Sequence, residues 1–332
     1  MNNRIELPLI EPIYSTYHNA PASAAAVNNP SIKNWFLNEI MMLTCNRIFL
    51  EGFTSPQINV LHSGIEDNPY FIKQNIDLKY IWGHIHSIMK RLIEDGYYIW
   101  FSGVDDYYVK GKSWYKERHF NHDACVCGYD NDNKTYCIYS YDKNWIYRKF
   151  WTTQKSFDNG MRAIFNQGYC GFIVGFKAKD TPVEFLPEVA CRNIAEYLDP
   201  PQEKYDNDNG DSVYGIIVHD YIAQYVGKLY DGSIPYERMD RRVFRMIWEH
   251  KKAMLQRIIL IEKAFSLDSS ISETYKTVVQ EADNCRMLYA AHHMKERRSV
   301  LPIIQKKLLT LKENEQKLLE KLLTNVKGDK TK

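Results

Sequence analysis

Long apolar runs are missing from this chain. No stretch approaches the roughly 20 residues that a helical membrane span requires, so no membrane partner is expected. Excess charge is missing too: 43 basic against 41 acidic residues leave a formal net charge of +2. That balance supplies no bulk field of the kind that holds nucleic acid, so no nucleic-acid partner is expected. The seven cysteines, at 45, 125, 127, 137, 170, 191 and 285, are odd in number and contain no Cys-x-x-Cys pair. This pattern predicts free thiols in a reducing cytoplasm rather than a disulfide framework. The opening Met1-Asn-Asn-Arg-Ile-Glu lacks the charged-then-apolar layout of a secretion signal, which again predicts a cytoplasmic protein. There is no internal repeat. The acidic stretch Tyr205-Asp-Asn-Asp-Asn-Gly-Asp211 lacks EF-hand spacing and a following acceptor glutamate, and reads as a solvated linker. His84 and His86 are two residues apart on an expected helix, so their side chains point about 200° apart and do not converge on a metal. His292-His293 fails in the same way. Neither metal nor cofactor is expected.

What is present is ordinary globular composition, 45% hydrophobic and 25% charged over 332 residues, enough for one large or two ordinary domains. An extended lead-in with Pro8 and Pro12 precedes an Ala-rich helix that Pro21 can open, its missing N–H costing nothing at the first helical position. Asn28-Asn-Pro30 breaks that helix. Ser31 then caps a second, with Trp35, Ile40, Met41, Leu43 and Ile48 as its apolar face and Gly52 as its end. A third helix is expected over Leu78–Asp95. The pattern then shifts to strands: Tyr97–Ser102, His122–Tyr129, Thr135–Tyr141, Trp145–Trp151 and Gly171–Lys177, with a helix capped by Ser156 before the last. Beyond the Pro200-Pro201 linker four helices are expected, Tyr214–Tyr230, Arg241–Phe265, Ile271–Glu296 and Val300–Val326, with Asp240 and Ser270 as caps. The last carries a Leu/Ile stripe suited to bundle packing, and its Lys/Arg-rich exposed face reads as solvated. The predicted class is α+β over residues 1–200 followed by a helical domain over 211–328.

The chemistry-bearing stretch is His122-Asp-Ala-Cys-Val-Cys-Gly128-Tyr-Asp130 and the strand after it, ending at Asp142. Strand alternation puts His122, Ala124 and Val126 on one face and Asp123, Cys125 and Cys127 on the other. On the next strand Tyr136, Ile138, Ser140 and Asp142 share a face, so Asp142 or Ser140 can reach His122. A carboxylate there holds the imidazole tautomer and stabilises its cation, which is the base half of a nucleophilic site. The plain alternative is a histidine hydrogen-bonded in a half-buried sheet. The matching nucleophile belongs at a helix N-terminus, where unpaired N–H groups and the helix dipole favour a thiolate.

The His-x5-Gly-Tyr-Asp strand and turn, with Asp142 beyond it, resembles the second half of a papain-like fold, closest to the bacteriocin leader-peptidase branch. That branch opens its central helix with a Cys-Gly-Pro-Ala-Ala-type motif. Asn19-Ala20-Pro21-Ala22-Ser23-Ala24 is similar in register, with Ala20 where the cysteine stands. Gly103-Val-Asp105-Asp-Tyr-Tyr108, Tyr214-Gly-Ile-Ile-Val-His219 and Asp240-Arg-Arg-Val-Phe-Arg-Met-Ile-Trp-Glu249 extend the likeness to papain-fold acyltransferases of antibiotic assembly lines, of the butirosin and closthioamide type.

The resemblance implies an amide-forming acyltransferase with a helical addition to a papain-like domain. A cysteine at position 20 takes an acyl or aminoacyl chain from a carrier-protein thioester. A small amine then receives it, with His122 moving protons and Asp142 orienting His122. A closthioamide-like role means a hydroxybenzoyl-type chain and a diamine. Asp105 or Asp106 is the candidate counter-charge for the amine, and Trp35 a candidate wall of the acyl pocket, although solvated carboxylates and a core tryptophan are the plain readings. Alanine at position 20 makes the chain either a naturally inactive copy or one whose cysteine was replaced. The rival functions are a cysteine peptidase using the same residues and a non-catalytic papain-like scaffold.

Overall fold

A computed structural model describes residues 3–15, 29–51, 55–62, 68–144, 146–169, 171–201, 205, 211–240, 242–295 and 297–329. The chain is of mixed α and β class and divides into two units: 1–32 with 64–182, and 33–63 with 183–332. The expected boundary near residue 200 therefore lies earlier, and the second unit also takes a segment from the N-terminal third. Distant pairing explains the difference, because residues 43–46 pair on one side with 212–214 and on the other with 58–60.

The first unit is built on one antiparallel sheet. Its strands are β1 (Arg4–Glu6), β4 (Phe71–Asp77), β5 (Tyr98–Asp105), β6 (Asn121–Asp130), β7 (Thr135–Tyr141), β8 (Tyr147–Thr153) and β9 (Phe172–Ala178). They run in the order β4-β9-β5-β6-β7-β8, with β1 added to the far half of β6. The hairpin expected between β6 and β7 forms, paired from Asp130 and Thr135 back to Cys125 and Tyr139. One sheet face carries Ile99, Phe101, Ala124, Val126, Tyr136 and Ile138 in a buried core with Met89, Phe157 and Ile164. Those last residues come from α3 (Ile85–Glu94) and α4 (Gln154–Asn166). Thr153, rather than Ser156, caps α4: its side chain accepts from Ser156 N–H at 3.1 Å. The helix expected over 78–95 is broken into α2 (Leu78–Ile81), a 3-10 turn through Gly83, and α3.

The second unit holds α1 (Ile32–Glu39), α5 (Pro187–Leu198), α6 (Val218–Asp231), α7 (Val243–Ala264), α8 (Ser270–Lys295) and α9 (Leu301–Asp329). A small sheet of β10 (Ser212–Tyr214), β2 (Leu43–Asn46) and β3 (Ile58–Val60) accompanies them. The helix expected to continue from Ser31 through Ile48 stops at Glu39, and Cys45 is buried on β2 instead. Arg257 of α7 is the reason the helix can end there, because its guanidinium donates to the carbonyls of Phe36, Leu37 and Ile40. The Leu37 carbonyl is one that a helix C-terminus leaves without an intrahelical donor, and the Phe36 carbonyl accepts from both Arg257 and the Ile40 N–H. Asp240 does not cap α7 as expected: it accepts from Arg242 N–H at 2.8 Å in the turn just ahead of the helix, whose N-cap is Arg242 with no side-chain capping bond. At the start of α8 the capping carboxylate is Asp268, which accepts from Ser270 N–H at 3.0 Å.

A polar knot lies in the middle of the helices. Glu315 of α9 meets Lys251 of α7 at 2.6 Å and accepts from Tyr197 and Tyr275 at 3.1 and 2.5 Å, all four side chains fully buried. His219 donates from Nδ1 to the Ile216 carbonyl and His250 from Nε2 to that of Met41. Burial first, and then the Lys251 cation, hold both imidazoles well below the usual histidine range, so they stay neutral. Among the described residues no helix is long and apolar enough to cross a membrane.

Candidate active site

Strand β6 delivers His122 to the end of the sheet next to a break in pleating. Phe101 pairs with Ala124 and Val104 with His122, so Ser102 and Gly103 of β5 stand opposite the single residue Asp123. A bulge of this kind re-aims side chains and recurs beside functional sites. Gly103 suits the position, since a Cβ there would collide with the Asn121 side chain.

The bulge brings together two neighbours that strict alternation would separate. His122 Nδ1 lies 2.8 Å from Asp123 Oδ1 and donates to the Asp123 carbonyl at 3.1 Å. The carbonyl acceptor, with the carboxylate in ion-pair contact beside it, keeps the proton on Nδ1 and leaves Nε2 as the basic nitrogen. Among the described residues no group hydrogen-bonds Nε2. The His122 side chain keeps 22% of its surface exposed, whereas that of Asp123 keeps 1%. Trp100 Nε1 holds the second carboxylate oxygen at 3.2 Å. Around the imidazole stand Phe120, at 5.7 Å between centroids, and Tyr141, edge-on at 5.9 Å.

Behind this pair sits Lys112, a residue that sequence reasoning missed. It is 1% exposed, and its ammonium contacts Asp106 Oδ1 at 2.9 Å, Ser140 Oγ at 2.9 Å and the Asp123 carbonyl at 3.0 Å. Ser140 Oγ donates to the same carbonyl at 3.2 Å. Gly111, at φ +103°, turns the chain so that Lys112 points inward; a Cβ there would press on the Phe150 ring. Nothing in Gly111-Lys112-Ser113 advertises a buried cation, because lysine is the residue least expected to be sealed inside a fold. Asp123, in contrast, is visible beside His122 in the sequence, although strand alternation assigns it to the opposite face.

The remaining candidates separate. Asp142 does not orient His122. Its carboxylate meets Arg148 at 2.5 Å and accepts from the N–H groups of Asn144 and Ile146 at 2.8 and 3.0 Å, closing the turn before β8. Burial pushes this carboxyl up, but those N–H groups and Arg148 outweigh it and leave it below the usual carboxylate range. The physical reason is local: Asp142 sits one residue past β7, where nearby N–H groups compete for it better than a ring on the next strand.

Asp105 and Asp106 are both 2% exposed, so neither is a solvated loop carboxylate. Asp105 ties down the loop between β5 and β6, accepting from Tyr107 N–H, Phe120 N–H and His119 Nδ1 at 3.1, 3.1 and 2.7 Å. Asp106 is the counter-ion of Lys112. Burial pushes its carboxyl up, with Lys112 and then His122 pulling the other way. Trp35 belongs to the second unit, where it is buried edge-on against Phe36 at 4.9 Å, a packing role. Ala20 lies outside the described residues.

The six cysteines among the described residues are all free: Cys191 is half-buried and the others buried. Cys125 and Cys285 are pushed up by burial, and no thiol among them has the setting of an activated nucleophile. No group of histidine, cysteine and carboxylate side chains suited to a metal ion occurs among the described residues. The arrangement can accept and return a proton at His122 Nε2. No protein-family model matches the chain, and no curated protein matches it at a significant level.

Proposed function

We propose that this chain is a papain-like acyltransferase that forms an amide from a carrier-protein thioester and a small amine, with Ala20 in the nucleophile's place. The observation that carries this reading is the state of His122: Nδ1 committed to Asp123, Nε2 open, and the ring partly exposed at a strand end. That is the form a general base needs. Asp123 takes the orienting role that the resemblance gave to Asp142.

Chain connectivity is compatible with a nucleophile at position 20. The Ser15 carbonyl accepts from Tyr141 Oη at 3.4 Å, and the Tyr141 ring lies against His122. Position 20 is five residues further, and five residues span at most about 18 Å. In the cysteine form the thiolate attacks the carrier thioester, and the carrier thiol leaves with the proton that His122 holds. An amine then attacks the enzyme thioester, giving its proton to His122, and the cysteine sulfur departs as the amide forms.

Intact-protein mass spectrometry of Ala20→Cys with an acyl-loaded carrier protein tests the reading. A covalent acyl adduct that disappears on adding amine is expected, and His122→Ala in that background should suppress adduct formation by at least about a hundredfold. Cleavage of peptides with no acyl adduct would replace the reading by a peptidase; neither reaction would leave a non-catalytic scaffold.

A further inference from the structure

The Asp123 carbonyl is the most heavily used acceptor near the site. It receives Lys112 at 3.0 Å, His122 Nδ1 at 3.1 Å and Ser140 Oγ at 3.2 Å. A carbonyl shared between an ammonium and an imidazole holds both in fixed positions, and it also places a permanent cation close to the ring that must accept a proton. Left alone, Lys112 would oppose protonation of His122. It is not alone, because Asp106 lies 2.9 Å from its ammonium, with both side chains almost sealed from water.

We propose that Lys112 and Asp106 form a positioning pair for His122: Lys112 pins the carbonyl from which the imidazole hangs, and Asp106 cancels the charge that this pin introduces. The proposal rests on reading His122 as the proton carrier of the site. Neither residue needs to touch a substrate. Lys112 and Ser140 set where the β6 backbone lies, the bulge turns Asp123 toward the ring, and Asp106 keeps the protonated imidazole accessible. The titratable and charged groups placed around His122 are Asp123 from its own strand, Lys112 and Asp106 from the loop after β5, and Tyr141 from β7. The proton that His122 gives to the carrier thiol and later takes from the amine therefore moves beside Asp123, with the Lys112 charge offset by Asp106.

The test needs no catalysis and uses the full chain with Ala20. The His122 imidazole is titrated by NMR in histidine-labelled protein, its signal assigned by its loss in His122→Gln. Asp106→Asn should lower the His122 midpoint by about one pH unit, because Lys112 then acts uncompensated. Asp132→Asn, in the exposed turn at the far end of the hairpin, should leave it unchanged. The double variant Lys112→Met with Asp106→Asn removes the cation as well and should return the midpoint to within about 0.3 units of the parent. A packing role alone would lower thermal stability in these variants without moving the midpoint down and back. An unmoved midpoint in Asp106→Asn, or no recovery in the double variant, overturns the proposal. Since the titration is read without acyl transfer, its failure is distinct from failure of the Ala20→Cys acylation.

Discussion

Lys112–Asp106 in the sheet unit and Lys251–Glu315 in the helical unit are both ion pairs taken out of water, with N···O separations of 2.9 and 2.6 Å. Each has histidines beside it. In the helical unit His219 and His250 are fully buried, and each gives its one N–H to a backbone carbonyl. In the sheet unit His122 sits at the strand end with 22% of its side chain in contact with solvent. The difference separates structure from chemistry. A sealed network can only hold helices in register, because no proton can enter it without breaking it. A network with one partly exposed imidazole leaves that ring in reach of protons from solvent.

The sharpest way to break this comparison is through the sealed pair. Glu315→Gln removes the counter-charge of Lys251 and the charged acceptor of Tyr197 and Tyr275. Burial already pulls the ammonium toward its neutral form, but the lost charged contacts of all three partners should still cost about 3 kcal/mol in chemical denaturation. Replacing both residues by methionine should cost less than the single change. A small loss in Glu315→Gln would mean that water reaches the knot and that it is not sealed.

Acid should come next. In the folded state His219 and His250 are held below the ordinary histidine value by burial and by Lys251, so the unfolded chain binds more protons than the folded one below about pH 6.5. Their contribution is complete above that pH and is lost as pH falls through the window beneath it, at about 1.4 kcal/mol per pH unit for each histidine. Urea midpoints followed by helical circular dichroism at pH 7.5, 6.5 and 5.5 should fall accordingly. Glutamine at both positions should flatten the trend, and a flat trend in the parent would contradict the sealed picture.

The smallest effect belongs to the open pair. Lys112→Met strands Asp106, but burial already pushes that carboxyl toward its neutral form, so it can take up a proton and escape the full penalty. A loss of about 2 kcal/mol is expected, chiefly from the vacated Asp123 and Ser140 contacts. A loss as large as that of Glu315→Gln would erase the contrast between the two pairs.

Local pattern was enough for much of this molecule. The β6–β7 hairpin follows from alternating apolar residues around Asn131-Asp-Asn-Lys134. The four C-terminal helices follow from three-and-four spacing, with ends within a few residues of those expected, apart from the start of α6. The strand position of His122 is legible in the β-rich run before the Gly128-Tyr-Asp130 turn, whereas its candidacy as a proton carrier comes from the family resemblance. These are short-range signals, and short-range signals are written along the chain. What only the tertiary structure decided depends on residues far apart in sequence. Leu43–Asn46 is a strand because Ser212–Tyr214 pairs with it, a partner more than 160 residues away that no window can see. Asp123 rather than Asp142 meets His122 because one extra residue in β5 rotates the pleat, and because Asn144, Ile146 and Arg148 claim Asp142 first. Lys112 is buried because Asp106, Ser140 and a carbonyl of β6 converge on it. Periodicity assigns a side chain to a face; a single bulge or a distant counter-ion decides which neighbour it meets there, and that decision is made only when the strands have come together.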